Sequence, residues 1–231
     1  MIALVIPTFE NNIGFKLAAL NTYLKHKPDN VDVYFLYGGT GKGNQILPCD
    51  INNDIKYFDA YVEVPDRITL FHRKLYKFFR VFKNKLKKYS HIIKIDDDTF
   101  ISNIDTINLD KLTGDYCGNV VKVTDKNEQQ IRNRLIHLKH YKVRETYTGS
   151  LPEQYCSGEC YILSQKALQK LISYRGTKKR VDFGIEDIYT GYMLKSQGFN
   201  TTQCSLIKYE HPVQMEKFNK FYSDYYLNNK N

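Results

Sequence analysis

The chain has 231 residues, 42% of them hydrophobic and 14% aromatic, with a formal net charge of +9. This composition excludes a disordered chain, and the length suits one large domain or two small ones with a real core. The surplus of 34 Lys and Arg over 25 Asp and Glu favours polyanionic partners: nucleic acid, an anionic membrane surface or phosphorylated small molecules.

In chain order, Ile2 to Ile6 is a continuous apolar run that predicts a strand buried on both faces. It has no basic leader or cleavage site and ends at Pro7, and no segment approaches the roughly 20 apolar residues of a membrane span. The expectation is a cytoplasmic or otherwise soluble chain without signal or anchor. Residues 12 to 26 carry a helical pattern, and residues 31 to 37 predict a second strand, stopped by Gly38-Gly39. A third strand is expected over 60 to 64, one long basic and aromatic helix over 70 to 89, and a fourth strand over 92 to 95. Further strands are expected over 117 to 123 and 160 to 163, and helices over 165 to 173 and 186 to 197. The tail from Lys217 predicts a loosely docked helix. Strands separated by helices argue an α/β domain with a parallel or mixed sheet.

The five cysteines, Cys49, Cys117, Cys156, Cys160 and Cys204, are odd in number and have no paired-motif spacing, so they read as free thiols. Asn200-Thr201-Thr202 forms a glycosylation sequence to which no role is assigned.

The chemistry concentrates at HIIKIDDDTF, residues 91 to 100, where three aspartates follow an apolar run. Ligands of open α/β sheets bind beyond the carboxyl ends of the strands, which is where these side chains fall. Adjacent carboxylates repel unless a cation neutralises them, and such oxygen ligands together with substrate phosphates suit Mg2+ or Mn2+. If the stretch is extended, Asp96 and Asp98 point one way and Asp97 the other. The alternative is a solvated acidic turn that caps a helix after Thr99.

Three other stretches keep it company. In YCSGECYILS, residues 155 to 164, Ser157-Gly158 interrupts a strand pattern; a glycine there admits a ligand close to the backbone, or marks an ordinary bulge. In DFGIEDIYTGYML, residues 182 to 194, Glu186-Asp187 opens a helix, where carboxylates are favoured by the dipole and where one could act as a general base. In YEHP, residues 209 to 212, His211 offers a nitrogen that Mn2+ accepts, though a lone histidine is more often a plain surface or core residue.

Taken together, VIPTFEN, KIDDDTFI, YCSGECYILS and EDIYTGYML, in this order, resemble glycosyltransferase family 31, the β-1,3-galactosyltransferase and Fringe type, over about residues 1 to 211. The family pattern K-x-D-D-D is matched by Lys94, Asp96, Asp97 and Asp98. Y-x-S-G-x-x-Y-x-x-S is matched by Tyr155, Ser157, Gly158, Tyr161 and Ser164, and E-D-V-x-x-G by Glu186, Asp187 and Gly191, with Ile188 for Val. The resemblance implies a GT-A fold: a Rossmann-like mixed central sheet flanked by helices in one domain. That domain would span residues 1–215, with a nucleotide-binding half over about 1–100 and an acceptor half over about 101–215, and the tail would occupy 216–231.

It further implies a metal-dependent, inverting transfer from a nucleotide sugar, UDP-linked, to a hydroxyl of a glycan, glycoprotein or glycolipid. Asp98 would ligate Mn2+ or Mg2+, with Asp96 on the ribose or the metal and His211 completing the metal shell. Asp187 resembles the base that deprotonates the acceptor; resemblance, not geometry, favours it over Glu186. Pro7, Thr8 and Phe9 would border the nucleotide base, and Lys74 would lie near the donor, so that the expected donor-binding set is Pro7, Thr8, Phe9, Lys74, Asp96, Asp97, Gly158 and Glu186. The family's Asn-Leu-Thr is Arg67-Ile68-Thr69 here, which departs from the pattern.

The basic stretch 73–89 has Leu75, Phe78, Phe79, Phe82 and Leu86 on one face and Lys77, Arg80, Lys83, Lys87 and Lys88 on the other. It reads as a solvated amphipathic helix, or as a peripheral contact with an anionic membrane. Two other readings of the whole chain stand beside the first: an enzyme closer to glycosyltransferase family 2, and a basic nucleic-acid-binding module, which would leave the acidic clusters unexplained. No specific nucleic acid is expected as a partner of the enzyme.

Overall fold

A computed structural model describes residues 1–39, 41–49, 56–66, 71–110, 112–137, 151–174, 185–211 and 216–223. Its centre is an eight-stranded mixed sheet in the order β3-β4-β2-β1-β5-β8-β7-β9. β1 (Ile2–Pro7) is buried throughout and is paired in parallel with β2 (Val31–Gly38) on one side and β5 (His91–Ile95) on the other. β4 (Tyr57–Val62) continues the parallel run beyond β2, and β3 (Gln45–Pro48) closes that edge antiparallel. Across β5 the long β8 (Gln154–Ser164) runs antiparallel and pairs with β7 (Tyr116–Lys122), which in turn pairs in parallel with β9 (Thr201–Gln203).

Side chains alternate along β1 and feed two cores. Ile2, Leu4 and Ile6 pack on one face with Leu20, Tyr23, Leu24 and Phe100. Ala3 and Val5 pack on the other with Leu75, Phe78, Phe79, Leu168 and Leu171. The first face is covered by α1 (Ile13–Asn21), the following 3-10 turn and α7 (Glu216–Tyr222). The second is covered by α2 (Phe71–Val81), α5 (Gln165–Ser173) and α6 (Glu186–Lys195). α4 (Asp125–His137) lies beyond β7 and contributes Ile131 to a small third cluster with Tyr155 and Ile188.

Three expectations are corrected. The basic helix is not continuous: it ends at Val81, and after Phe82 only α3 (Lys83–Leu86) remains helical. Several of its cations are used locally. Lys88 pairs with Asp32 at 2.8 Å, Lys85 lies over the Phe58 ring, and Arg80 donates to the Tyr174 carbonyl. The described part of the tail, α7, is docked through Phe218, which is fully buried against Phe15, Tyr23 and Phe100, while residues 224–231 lie outside the described residues. The strand expected over 160 to 163 begins at Gln154, so Ser157-Gly158 lies inside it. Among the described residues no helix is long and apolar enough to cross a membrane.

Candidate active site

The acidic stretch leaves the sheet where β5 ends. The strand stops at Ile95, the Asp96 N–H still reaches the Glu159 carbonyl at 3.1 Å, and a turn follows that is closed by the Thr99 N–H on the Asp96 carbonyl at 3.1 Å. Strand alternation therefore does not govern the triplet, and no helix follows Thr99; β6 (Phe100–Ile101) does. Each aspartate has its own environment. Asp96 accepts from Lys94 Nζ at 2.6 Å. Asp97 turns towards the end of β1, where it accepts from Thr8 Oγ1 at 2.7 Å and Asn12 Nδ2 at 3.1 Å. Burial raises the Asp97 carboxyl above its ordinary range, and these two donors and Lys74 oppose the shift.

Asp98 meets His211. β10 (Tyr209–Glu210) runs antiparallel to β6 with Glu210 opposite Phe100, so His211 falls beside Thr99 and Asp98. Its Nδ1 is 3.6 Å from Asp98 Oδ1 and 3.4 Å from Thr99 Oγ1. Burial also raises the Asp98 carboxyl, with His211 opposing and Asp96 and Asp97 adding to the shift. Among the described residues no group of three or more His, Cys, Asp or Glu is assembled to hold a metal by itself. A carboxylate oxygen beside an imidazole nitrogen nevertheless fits a cation whose remaining ligands come from water and substrate phosphates, the usual mode for Mg2+ and acceptable for Mn2+.

Lys94 joins the acidic turn to the other motifs. Its Nζ is almost wholly buried and contacts Asp96, the Gly158 carbonyl and, at 3.3 Å, Glu186 Oε2. Burial alone would lower its pKa, but the Asp96 and Glu186 carboxylates outweigh that and raise it. Glu186 sits inside the protein, where Oε1 accepts from Tyr161 and from Thr190 at 2.7 Å, and Tyr76 bonds Thr190 at 2.8 Å. Glu186 thus lies in a buried network that ties β5, β8, α2 and α6 together.

Asp187, one residue on, faces the other way. Its Oδ2 accepts the Gly158 N–H at 3.1 Å and its Oδ1 accepts the Ile188 N–H at 2.8 Å, so two backbone donors stabilise its charge in the first turn of α6. It lines a pocket of about 150 Å³ with Val121, Asn127, Gln130, Ile131, Tyr155 and Ser157. Gly158 therefore lies between the two groups, with its carbonyl on Lys94 and its N–H on Asp187. The β7–β8 register shifts here, between Gly118 and Val120, which frees these backbone groups from the ladder.

At the end of β1, Pro7 is the last strand residue, the Thr8 N–H bonds the Leu36 carbonyl at 2.9 Å, and the Phe9 ring stands 6.2 Å from that of Phe71. Lys74 is buried beneath them: Nζ donates to the Thr8 carbonyl at 2.5 Å and to Asp66 at 2.8 Å, and lies 4.0 Å from the centre of the Phe9 ring. Burial lowers its pKa, against the pull of Asp66. In this structure Lys74 fixes the loop after β1. Arg67-Ile68-Thr69 and Pro212 lie outside the described residues. Asn12 and Tyr76 were missed in the sequence because their partners, Asp97 and Thr190, lie far along the chain; Asp66 and Thr190 have nearby partners in Lys74 and Glu186, but no motif marks them.

The arrangement is that of an α/β sheet whose acidic turn, Asp96 to Asp98, lies at the carboxyl end of the central strand β5, with Asp187 in the wall of a pocket nearby along β8. The chain matches the family model described as Galactosyltransferase over residues 19–205, and it belongs to that family. No curated protein matches it. Among solved structures it is similar to the WbbM bifunctional glycosyltransferase, at 12% identity and a TM-score of 0.44, with 89% of this chain and 39% of that one covered. It is also similar to A197 from STIV, at 13% identity and a TM-score of 0.42 over 93% and 86% of the two chains. The glycosyltransferase GlyE of Streptococcus pneumoniae TIGR4 follows at 10% identity and a TM-score of 0.42, over 88% and 45%. The chain thus spans less than half the length of the first and third of these, and at such scores the likenesses add nothing to the family assignment.

Proposed function

We propose that this protein moves a sugar, with inversion, from a nucleotide-sugar donor, UDP-linked, to a hydroxyl of a glycan or glycoconjugate, and that the reaction depends on a divalent cation. The observation that carries the reading is that the Gly158 peptide joins the acidic turn to a second carboxylate: its carbonyl accepts from Lys94, which also holds Asp96, and its N–H donates to Asp187, in the wall of a pocket.

Asp98 and His211 would hold Mn2+ or Mg2+. When bound, the cation offsets the negative charge that a nucleoside diphosphate gains as it leaves. Asp96, fixed by Lys94, stands where it can accept from a donor hydroxyl, and the Pro7–Phe9 loop borders the same end of the sheet. Asp187 removes the proton from the acceptor hydroxyl. The acceptor oxygen then forms its bond to the anomeric carbon as the bond from that carbon to the phosphate oxygen breaks, and the electron pair departs with the diphosphate. A single displacement with one base inverts the anomeric centre.

The test is a panel of nucleotide sugars, each incubated with the protein and Mn2+ or EDTA, with nucleotide release as the readout. Metal-dependent release from one donor supports the reading. Absence of release from every donor, together with salt-sensitive retention on DNA, would favour the basic-module reading instead.

A further inference from the structure

We propose that the outer face of α2, α3 and α5 docks on an anionic lipid surface, and that Lys77, Lys83, Lys87 and Lys170 are the cations that hold it there. The inference stands apart from the transferase reading. The sequence makes this face one-signed: from Arg67 to Ile95, and again from Gln165 to Val181, there is no Asp or Glu. The fold lays the described parts of the two stretches together. α2 and α5 pack side by side over the second core, Gln165 Nε2 donates to the Leu86 carbonyl at 2.5 Å, and Arg80 donates to that of Tyr174 at 3.3 Å. Leu75, Phe78, Phe79 and Leu86 turn inward from one stretch, and Ala167, Leu168 and Leu171 from the other. The cations between them are left on the outer face.

The charge on this face is not neutralised within the protein. The side chains of Lys77, Lys83, Lys87 and Lys170 have no ion-pair or hydrogen-bond partner among the described residues, whereas Lys74, Lys88 and Lys166 are matched by Asp66, Asp32 and Asp115. Arg80 adds a charge that the Tyr174 carbonyl does not cancel. Clustered cations repel one another, and an anionic surface relieves them. Two features select lipid over nucleic acid. Val81 is 40% exposed between Arg80 and Lys83 in the chain, which puts an apolar side chain among the cations as a surface-lying helix does. The aromatic rings of the described face, Phe82 and Tyr174 among them, are buried or half-buried and give no platform for stacked bases. Helices packed side by side also present a layer, and not the single helix that enters a groove.

The test is co-sedimentation with vesicles of phosphatidylcholine alone and of phosphatidylcholine with phosphatidylserine, at low and high salt, for the wild type and two doubly substituted chains. Lys83→Glu/Lys87→Glu reverses two charges on the face. Lys25→Glu/Lys217→Glu makes the same change in net charge on the opposite side of the sheet, where both lysines are exposed. The wild type and the second variant should bind the anionic vesicles and not the neutral ones, and high salt should release them. Each cation near such a surface strengthens binding about fivefold, so Lys83→Glu/Lys87→Glu should weaken it at least about 25-fold, with Tm unchanged. Equal loss in the two variants, equal binding to the two kinds of vesicle, or no vesicle binding by the wild type overturns the inference. Salt-sensitive retention on DNA without vesicle binding overturns it in favour of nucleic acid.

Discussion

Gly158 donates its amide hydrogen to the Asp187 carboxylate at 3.1 Å, and a Cβ placed on Gly158 would stand 3.4 Å from that same carboxylate. The glycine is not required by a left-handed backbone, since Gly41, Gly43 and Gly198 are the glycines with positive φ among the described residues. An alanine therefore fits the fold, with its Cβ in ordinary van der Waals contact with the base. Gly158→Ala should leave Tm within a degree or two of wild type and keep kcat within about tenfold of it, because Asp187 need not move. A larger loss of kcat in an equally stable variant would contradict this and show that substrate itself approaches Gly158 closely.

Gly191 requires its missing side chain for another reason. A Cβ there would sit 2.5 Å from the Tyr155 Cβ and 3.2 Å from its Cα, so α6 could not lie as close to β8. Gly191→Ala should cost about 1–3 kcal/mol, the usual penalty for overpacking. Urea denaturation reads this directly, and an unchanged midpoint would contradict it.

Lys94 and Glu186 are both buried, at 1% and 5% exposure, and share one network. Lys94→Met leaves Glu186 without a cation and should cost about 3–5 kcal/mol. Glu186→Gln keeps an acceptor for Tyr161 and Thr190 and leaves Lys94 its contact with Asp96, so the loss should be smaller. Equal losses in the two variants, measured by chemical denaturation, would argue against Lys94 as the hub.

The cysteines give an independent check of burial. Cys49, Cys117, Cys156 and Cys160 are buried and Cys204 is partly exposed. Burial pushes the Cys117 thiol up to about 11 and those of Cys156 and Cys160 higher still. At pH 8 a thiol reagent such as DTNB should react quickly with one cysteine, Cys204, and with all five after denaturation. Rapid reaction of two or more in the native protein would contradict the packing of β7 and β8.

The parallel strands and the helix over 165 to 173 were legible because continuous apolar runs and a 3.6-residue period are local signals. β3 and β9 were not, since neither short edge strand carries such a run, and α4 has too few apolar residues to show a period. In the candidate site, the motifs name stretches that the fold brings near one another but do not give the direction each side chain takes. The divergence of Asp96, Asp97 and Asp98 follows from a turn and from partners far along the chain, namely Thr8, Asn12 and His211. The opposite facing of Glu186 and Asp187 follows from their successive places in the first turn of α6.

The most direct test of the whole account is calorimetric binding of UDP in the presence of Mn2+ or EDTA, for the wild type and for Asp98→Asn. UDP should bind the wild type when Mn2+ is present, and affinity should fall at least about tenfold, or 1.4 kcal/mol, on chelation and likewise in Asp98→Asn. UDP binding of equal strength under EDTA, or undiminished in Asp98→Asn, would contradict a cation held by Asp98 and His211.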